Sequence, residues 1–252
     1  MPIFNPEDWK EKIKYPHWYT EVPGVFKELV QLHAENRAEY ERVKEQIYDF
    51  FEDQLRKGAV ALGQTGKNLD AERKPIDTVV IHHTSMKPGL TKERLSGIDL
   101  VRLYAPQYAG KGPTYTAHKE IKDRPVYSGH FRDGVQVFWP YHWIVRTGGI
   151  CERLLEDSEI GWHAGNWDVN CRSIAIVFDN DYENSEPSDV ELAAVASLIK
   201  DTYPQVLKEN IKGHCEINTK TTCPSKNFLS VDNKHPGWRE KLVYLYSNVS
   251  RR

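Results

Sequence analysis

From Gly24 to Leu55, apolar residues recur at Phe26, Leu29, Val30, Ala34, Tyr40, Val43, Ile47, Phe50 and Leu55. Most of these positions are three or four apart, the period of an amphipathic helix. The pattern predicts one long helix over this span. Its stripe needs cover, either from the rest of the chain or from a second copy of the same helix. Gly58 and Gly63-Gln64-Thr65-Gly66 end the pattern and read as a linker. From Pro75 onward the periodicity alternates between strand and helix. Strands are expected over Ile76–His83, His142–Arg146, Ile150–Leu155, Ser173–Phe178 and Ile211–Glu216. Thr78-Val79-Val80-Ile81 and Ile174-Ala175-Ile176-Val177-Phe178 are apolar throughout, as strands covered on both faces are. Thr147-Gly148-Gly149 reads as a hairpin turn. Helices are expected over Thr91–Tyr104, from the capping box Ser188-Asp189-Val190-Glu191 through Ile199, and over Trp238–Val249. Between Pro106 and Val137 lies a Gly- and Tyr-rich stretch of weak periodicity, too long for an ordinary connection.

This order predicts an α/β fold, a mixed central sheet flanked by helices, with an N-terminal helical extension. Residues 1–70 form the extension and residues 71–252 the main domain. Lys+Arg number 34 and Asp+Glu 36, a net charge of −2. That balance argues against nucleic acid as a partner, because such binding needs clustered positive charge. No apolar run reaches the roughly 20 residues of a membrane-spanning helix, and Met1–Lys14 has no apolar segment of signal-peptide type. Four cysteines are too few for a disulfide scaffold. Cys151 and Cys171 read as packed thiols, with a disulfide left open.

Candidate chemistry starts at His82-His83-Thr84, closing the first strong strand. Neighbouring strand residues face opposite sides, so at most one of the two histidines enters a given site. Gly213-His214-Cys215-Glu216 closes the last strand, and Cys223-Pro224-Ser225 follows. Two imidazoles and a thiolate supply three of the four ligands of a tetrahedral zinc site, and three is the catalytic count because it leaves a position for water. The alternative is a buried thiol that only packs.

Together these segments resemble the zinc-dependent N-acetylmuramoyl-L-alanine amidases of the type 2 family, whose fold is shared by phage amidase lysozymes and peptidoglycan recognition proteins. The resemblance spans Ile76 to Leu245. It rests on Val79-Val80-Ile81-His82-His83-Thr84, Tyr141-His142-Trp143-Ile144-Val145, Trp162-His163-Ala164-Gly165, Ser173-Ile174-Ala175-Ile176 and His214 through Ser225. It implies zinc held by His82, His214 and Cys223, with Tyr141 and Lys220 as catalytic residues. It also implies Trp162 and His163 along the substrate groove, and peptidoglycan or muropeptides as partner. Two departures stand out. Thr221 and Thr222 separate Lys220 from Cys223 where the phage pattern has one residue, and Val177 occupies the place of a glutamate in recycling-type amidases. The implied activity is cleavage of the bond between N-acetylmuramic acid and L-alanine. The alternatives are a non-catalytic peptidoglycan binder or an amidase for another acyl-amide. Without a signal peptide, the expected setting is the cytoplasm or a phage lysis programme.

Overall fold

In the computed structural model, which describes residues 3–111, 118–230 and 236–248, the stripe of Gly24–Leu55 folds as two helices rather than one. After α1 (Pro6–Lys12) come α2 (Val22–Glu35) and α3 (Arg37–Arg56). Asn36 breaks the run. Its backbone is extended at φ −150° and ψ 93°, and its side chain accepts the Glu39 N–H as the N-cap of α3. The skip from Ala34 to Tyr40 in the apolar pattern marks the place. Leu29, Val43, Ile47, Phe50 and Phe51 are buried, whereas Val30 stays 71% exposed.

Contacts divide the chain into two compact units, Met1–Leu69 with Thr91–Phe138, and Asp70–Leu90 with Trp139–Arg252. The first is therefore larger than the 1–70 extension read from the sequence. Following β1 (Thr78–His83) of the second unit, the chain returns to the first with α4 (Lys92–Asp99), a π-helical turn and α5 (Ala105–Tyr108). There α4 packs on α3 at Gly97, where a Cβ would lie 2.9 Å from the Glu52 backbone nitrogen. A larger residue would push the helices apart. Phe4, Trp9, Trp18, Phe50 and Phe51 interlock as an aromatic cluster. Part of the long stretch after Pro106 is ordered as a hairpin, β2 (Phe131–Arg132) and β3 (Val135–Gln136), turning at Asp133-Gly134 with φ of 52° and 78°. That turn is the two-residue hairpin type favoured by Asp-Gly; residues 112–117 lie outside the described residues.

The second unit holds the sheet. With β4 (Trp143–Val145), β5 (Cys151–Arg153), β6 (Ser173–Phe178) and β7 (Ile211–Gly213), its order is β5-β4-β6-β1-β7. Only the β4–β5 pair is antiparallel, closed by the expected Gly148-Gly149 turn, so the sheet is mixed. Helix α6 (Trp167–Arg172) leads into β6; α7 (Asp189–Thr202) opens on the expected Ser188/Glu191 capping box. Strand β7 stops at Gly213 instead of running to Glu216. The Glu216 carboxylate accepts the Gly213 N–H at 2.7 Å and turns the chain into the short helix α8 (His214–Ile217). Helix α9 (Trp238–Asn248) closes the described residues, and Val249 lies outside them.

Strand alternation sorts the sheet into two faces. Val79, Ile81, Ile174, Ile176 and Phe178 pack on Leu192, Val195 and Ile199 of α7 and on Trp238 and Leu242 of α9. Each such side chain, fully buried, contributes about 1.5–3 kcal/mol. The opposite face carries Val80 and His82 of β1 beside Ala175 and Val177 of β6, with Ala164 and Val169 packed on Val80. The first face supplies most of the unit's core, and the second carries a smaller apolar cluster beside His82.

Candidate metal centre

His82 is the penultimate residue of β1, and His214 follows β7, the strand beside it, so the sheet itself brings the two imidazoles together. Their ring centroids are 4.8 Å apart. Cys223 arrives from the loop after α8, which is pinned at several points. The Cys215 N–H donates to the Cys223 carbonyl at 2.7 Å, and the Cys223 N–H donates to Thr221 Oγ1 at 3.1 Å. Thr222 Oγ1 donates to the Glu183 carboxylate at 2.8 Å. As a result Cys223 Sγ stands 3.7 Å from His82 Nδ1, and one ligand atom from each of the three residues lies within 4.8 Å of the others. Tetrahedral zinc with N and S ligands separates its ligand atoms by about 3.3–3.6 Å.

Three further observations fit a metal here. His214 Nε2 is buried with no hydrogen-bond partner among the described residues, an atom that a cation would satisfy. Burial pulls His214 down to about 4, with the Ala164 backbone opposing, and pulls His82 well below the usual histidine range, so both rings offer neutral lone pairs. Burial also pushes the Cys223 thiol up to about 12, so only a cation would draw off its proton near neutrality. Two imidazoles and one thiolate suit zinc. His83 faces away. Its Nδ1 accepts the Tyr182 N–H at 3.0 Å and its Nε2 lies 3.2 Å from Ser85 Oγ.

The remaining expected residues are placed as follows. The half-buried Tyr141 ring lies 5.1 Å from the His82 ring, which brings a phenol to the site. Trp162 is buried and meets Trp167 edge to face, and Trp167 Nε1 donates to Glu72. His163 is enclosed at 6% exposure, with Nδ1 3.0 Å from His82 Nε2 and Nε2 3.1 Å from Ser173 Oγ. Lys220 is exposed in the turn after α8, its backbone N–H donating to Asn218 Oδ1. The two threonines that set it apart from the phage pattern are the ones that pin Cys223.

Sequence reasoning missed the residues behind the ligands. Asn170 Oδ1 accepts the N–H groups of His163 at 3.3 Å and Ala164 at 2.8 Å, fixing the loop that lies against both ligand histidines. Ser173 was legible only as the start of a strand, though a hydroxyl heading an otherwise apolar run was a signal. His142 is a sheet latch. Its Nδ1 accepts the Ala175 N–H at 3.1 Å, and its Nε2 meets the Glu159 carbonyl at 3.0 Å. All four cysteines are free, and Cys215 packs towards the sheet's main core.

Comparison with known proteins places this geometry. The family model described as N-acetylmuramoyl-L-alanine amidase (Amidase_2) matches residues 72–226, which include His82, His214 and Cys223. A curated relative, the 1,6-anhydro-N-acetylmuramyl-L-alanine amidase AmpD of Haemophilus influenzae, is 25% identical over 104 residues, 38% of this chain. The chain spans 56% of that relative's length. Among solved structures, the Ph2119 endolysin from a Thermus scotoductus bacteriophage is 18% identical, covering 69% of this chain and 86% of that one, with a TM-score of 0.40. The amidase LysC from Clostridium intestinale is 18% identical, covering 75% and 96%, with a TM-score of 0.41. Drosophila PGRP-LB is 19% identical, covering 66% and 82%, with a TM-score of 0.35. Among the described residues no helix is long and apolar enough to cross a membrane. With its family model matched over more than half its length, the chain belongs to the N-acetylmuramoyl-L-alanine amidase family.

Proposed function

We propose that the protein is a zinc hydrolase that cleaves the amide between the lactyl group of N-acetylmuramic acid and L-alanine in peptidoglycan. The convergence of His82, His214 and Cys223, with His214 Nε2 buried and unpartnered among the described residues, carries this reading. Those three residues would hold the metal. Zinc held there would supply Lewis acidity for the scissile carbonyl and lower the pKa of a bound water to about 7. Tyr141, whose ring lies beside that of His82, would turn its hydroxyl to orient the attacking water or to donate to the oxyanion as it forms. Lys220, exposed in its turn, would swing in to place positive charge against the same oxyanion, and the part-exposed Trp167, edge to face with the buried Trp162, offers a ring on which a sugar can stack. Water adds its hydroxyl to the lactyl carbonyl and its proton to the departing alanine nitrogen.

Val177 pairs in register with His82 where recycling-type amidases carry glutamate, and it is fully buried. The reading is therefore the tyrosine/lysine version of the chemistry, in a lytic rather than a recycling setting. Cys223 counts against a pure binding module, since recognition alone has no need of a thiolate ligand. The test is metal analysis of the purified full chain followed by mass spectrometry of digested muropeptides. About one zinc per chain and release of peptides with a free alanine amine are expected. Zinc-loaded protein that leaves that amide intact would overturn the substrate assignment.

A further inference from the structure

Behind His82 runs a line of hydrogen bonds whose direction is fixed from its far end. Ser173 Oγ lies 2.6 Å from the carbonyl oxygen of Val169, in the last turns of α6, where backbone carbonyls lack intrahelical partners. A carbonyl can only accept, so the single hydroxyl proton of Ser173 is committed to it. The 3.1 Å contact between Ser173 Oγ and His163 Nε2 must then be donated by the imidazole, which puts the His163 proton on Nε2. A neutral imidazole has one donor and one acceptor. His163 Nδ1 is therefore an acceptor, and the proton in its 3.0 Å contact with His82 Nε2 belongs to His82. This leaves His82 with a bare lone pair on Nδ1, the nitrogen that stands 3.7 Å from Cys223 Sγ.

We infer that His163 and Ser173 are positioning residues that hold the His82 proton on Nε2 and so present Nδ1 as the metal-binding atom. This rests on the metal reading above and assigns His163 a place behind the ligand in place of the groove. Its enclosure, with both ring nitrogens engaged by the protein, agrees: no substrate atom reaches a ring already bonded on both sides. The arrangement also explains why a serine heads the apolar strand β6. Ser173 is fully buried, and its hydroxyl serves the relay and the α6 carbonyl together.

The test uses the full chain, metal-free and 15N-labelled at histidine, with long-range proton–nitrogen correlation NMR. His82 and His163 should both read as Nε2–H tautomers. His82 protonated on Nδ1 would overturn the inference without any variant being made. Zinc affinity, measured by competition with a chromophoric chelator, supplies the second readout. His163→Ala should bind zinc about 10–100-fold more weakly, the usual cost of losing a partner of a ligand histidine. His163→Gln keeps an acceptor for His82 Nε2–H and should recover part of the loss, and Ser173→Thr should bind as the parent does. Equal affinity in His163→Ala and the parent would overturn the positioning role. A parent chain that binds zinc with the expected tautomers but cleaves no muropeptide would overturn the proposed substrate and leave this inference standing.

Discussion

His82 Nδ1 and Cys223 Sγ lie 3.7 Å apart although they stand 141 positions apart in the chain, while His83, the very next residue, bonds to Tyr182 on the other side of the strand. The pairing follows from strand alternation on β1 and from the pinned loop that carries Cys223. Replacing His82, His214 or Cys223 with alanine should remove zinc and activity together. His83→Ala should keep the zinc, at some cost in stability from the orphaned Tyr182 N–H. Metal content of the four purified variants checks this. Zinc lost from His83→Ala and kept in His82→Ala would reverse the facing of β1.

Zinc uptake should release one proton. His214 is pulled to about 4 and His82 also lies low, so both rings are already neutral at pH 6. The Cys223 thiol, pushed up to about 12, is still protonated there and must ionise to bind. Zinc affinity should therefore rise about tenfold per pH unit from about pH 6 to 9, the slope of one released proton. Calorimetry in two buffers of different ionisation enthalpy measures the proton directly. A pH-independent affinity would mean that Cys223 binds no metal.

How much of this was legible depended on whether local pattern decided the outcome. The apolar runs of β1 and β6 and the Ser188/Glu191 capping box stand in the structure as read, because burial on both faces and a helix cap are local demands. The residue types alone offered two strand-end imidazoles and a loop thiolate beside the reading of a packed thiol; the resemblance chose His82, His214 and Cys223, since the sequence interval between His82 and Cys223 says nothing of their contact. The break at Asn36 and the end of β7 at Gly213 were missed. Each turns on one side chain bonding to the backbone three residues away, Asn36 to Glu39 and Glu216 to Gly213, and periodicity does not register such bonds. Asn170 and Ser173 were missed for a related reason: what they do is visible only once the loop at His163 is folded over them.

Tyr141→Phe should retain zinc and lose turnover about 100-fold or more, the scale of one oxyanion donor. The expectation follows from its ring standing 5.1 Å from that of His82. Lys220→Ala is the sharper case, because Lys220 sits exposed in its turn and must swing in to act. A comparable loss of turnover with zinc intact would show that it does. Unchanged turnover would mean that the two threonines pinning Cys223 hold the turn, and its lysine, away from the reaction.

Asp99, at the end of α4, offers a prediction that bears on stability alone. Its Oδ2 is buried with no hydrogen-bond partner among the described residues. Burial pushes its carboxyl up to about 7, with Arg102 pulling the other way. In the unfolded chain the same group titrates at about 3.9. Between those values the folded state holds a proton that the unfolded state has released, so stability falls as pH rises from about 4 to 7. Below about 4 both states are protonated and nothing is lost, and above about 7 the loss is complete. Asp99→Asn stays neutral throughout and should remove this slope. Near pH 7.5 the variant should be more stable than the parent by a few kcal/mol, the cost of ionising a buried carboxyl at about 1.4 kcal/mol per unit of raised pKa. Near pH 4 the two should be alike. Urea midpoints for both chains at these pH values make the comparison, and equal midpoints at pH 7.5 would show that the folded chain carries Asp99 ionised without penalty.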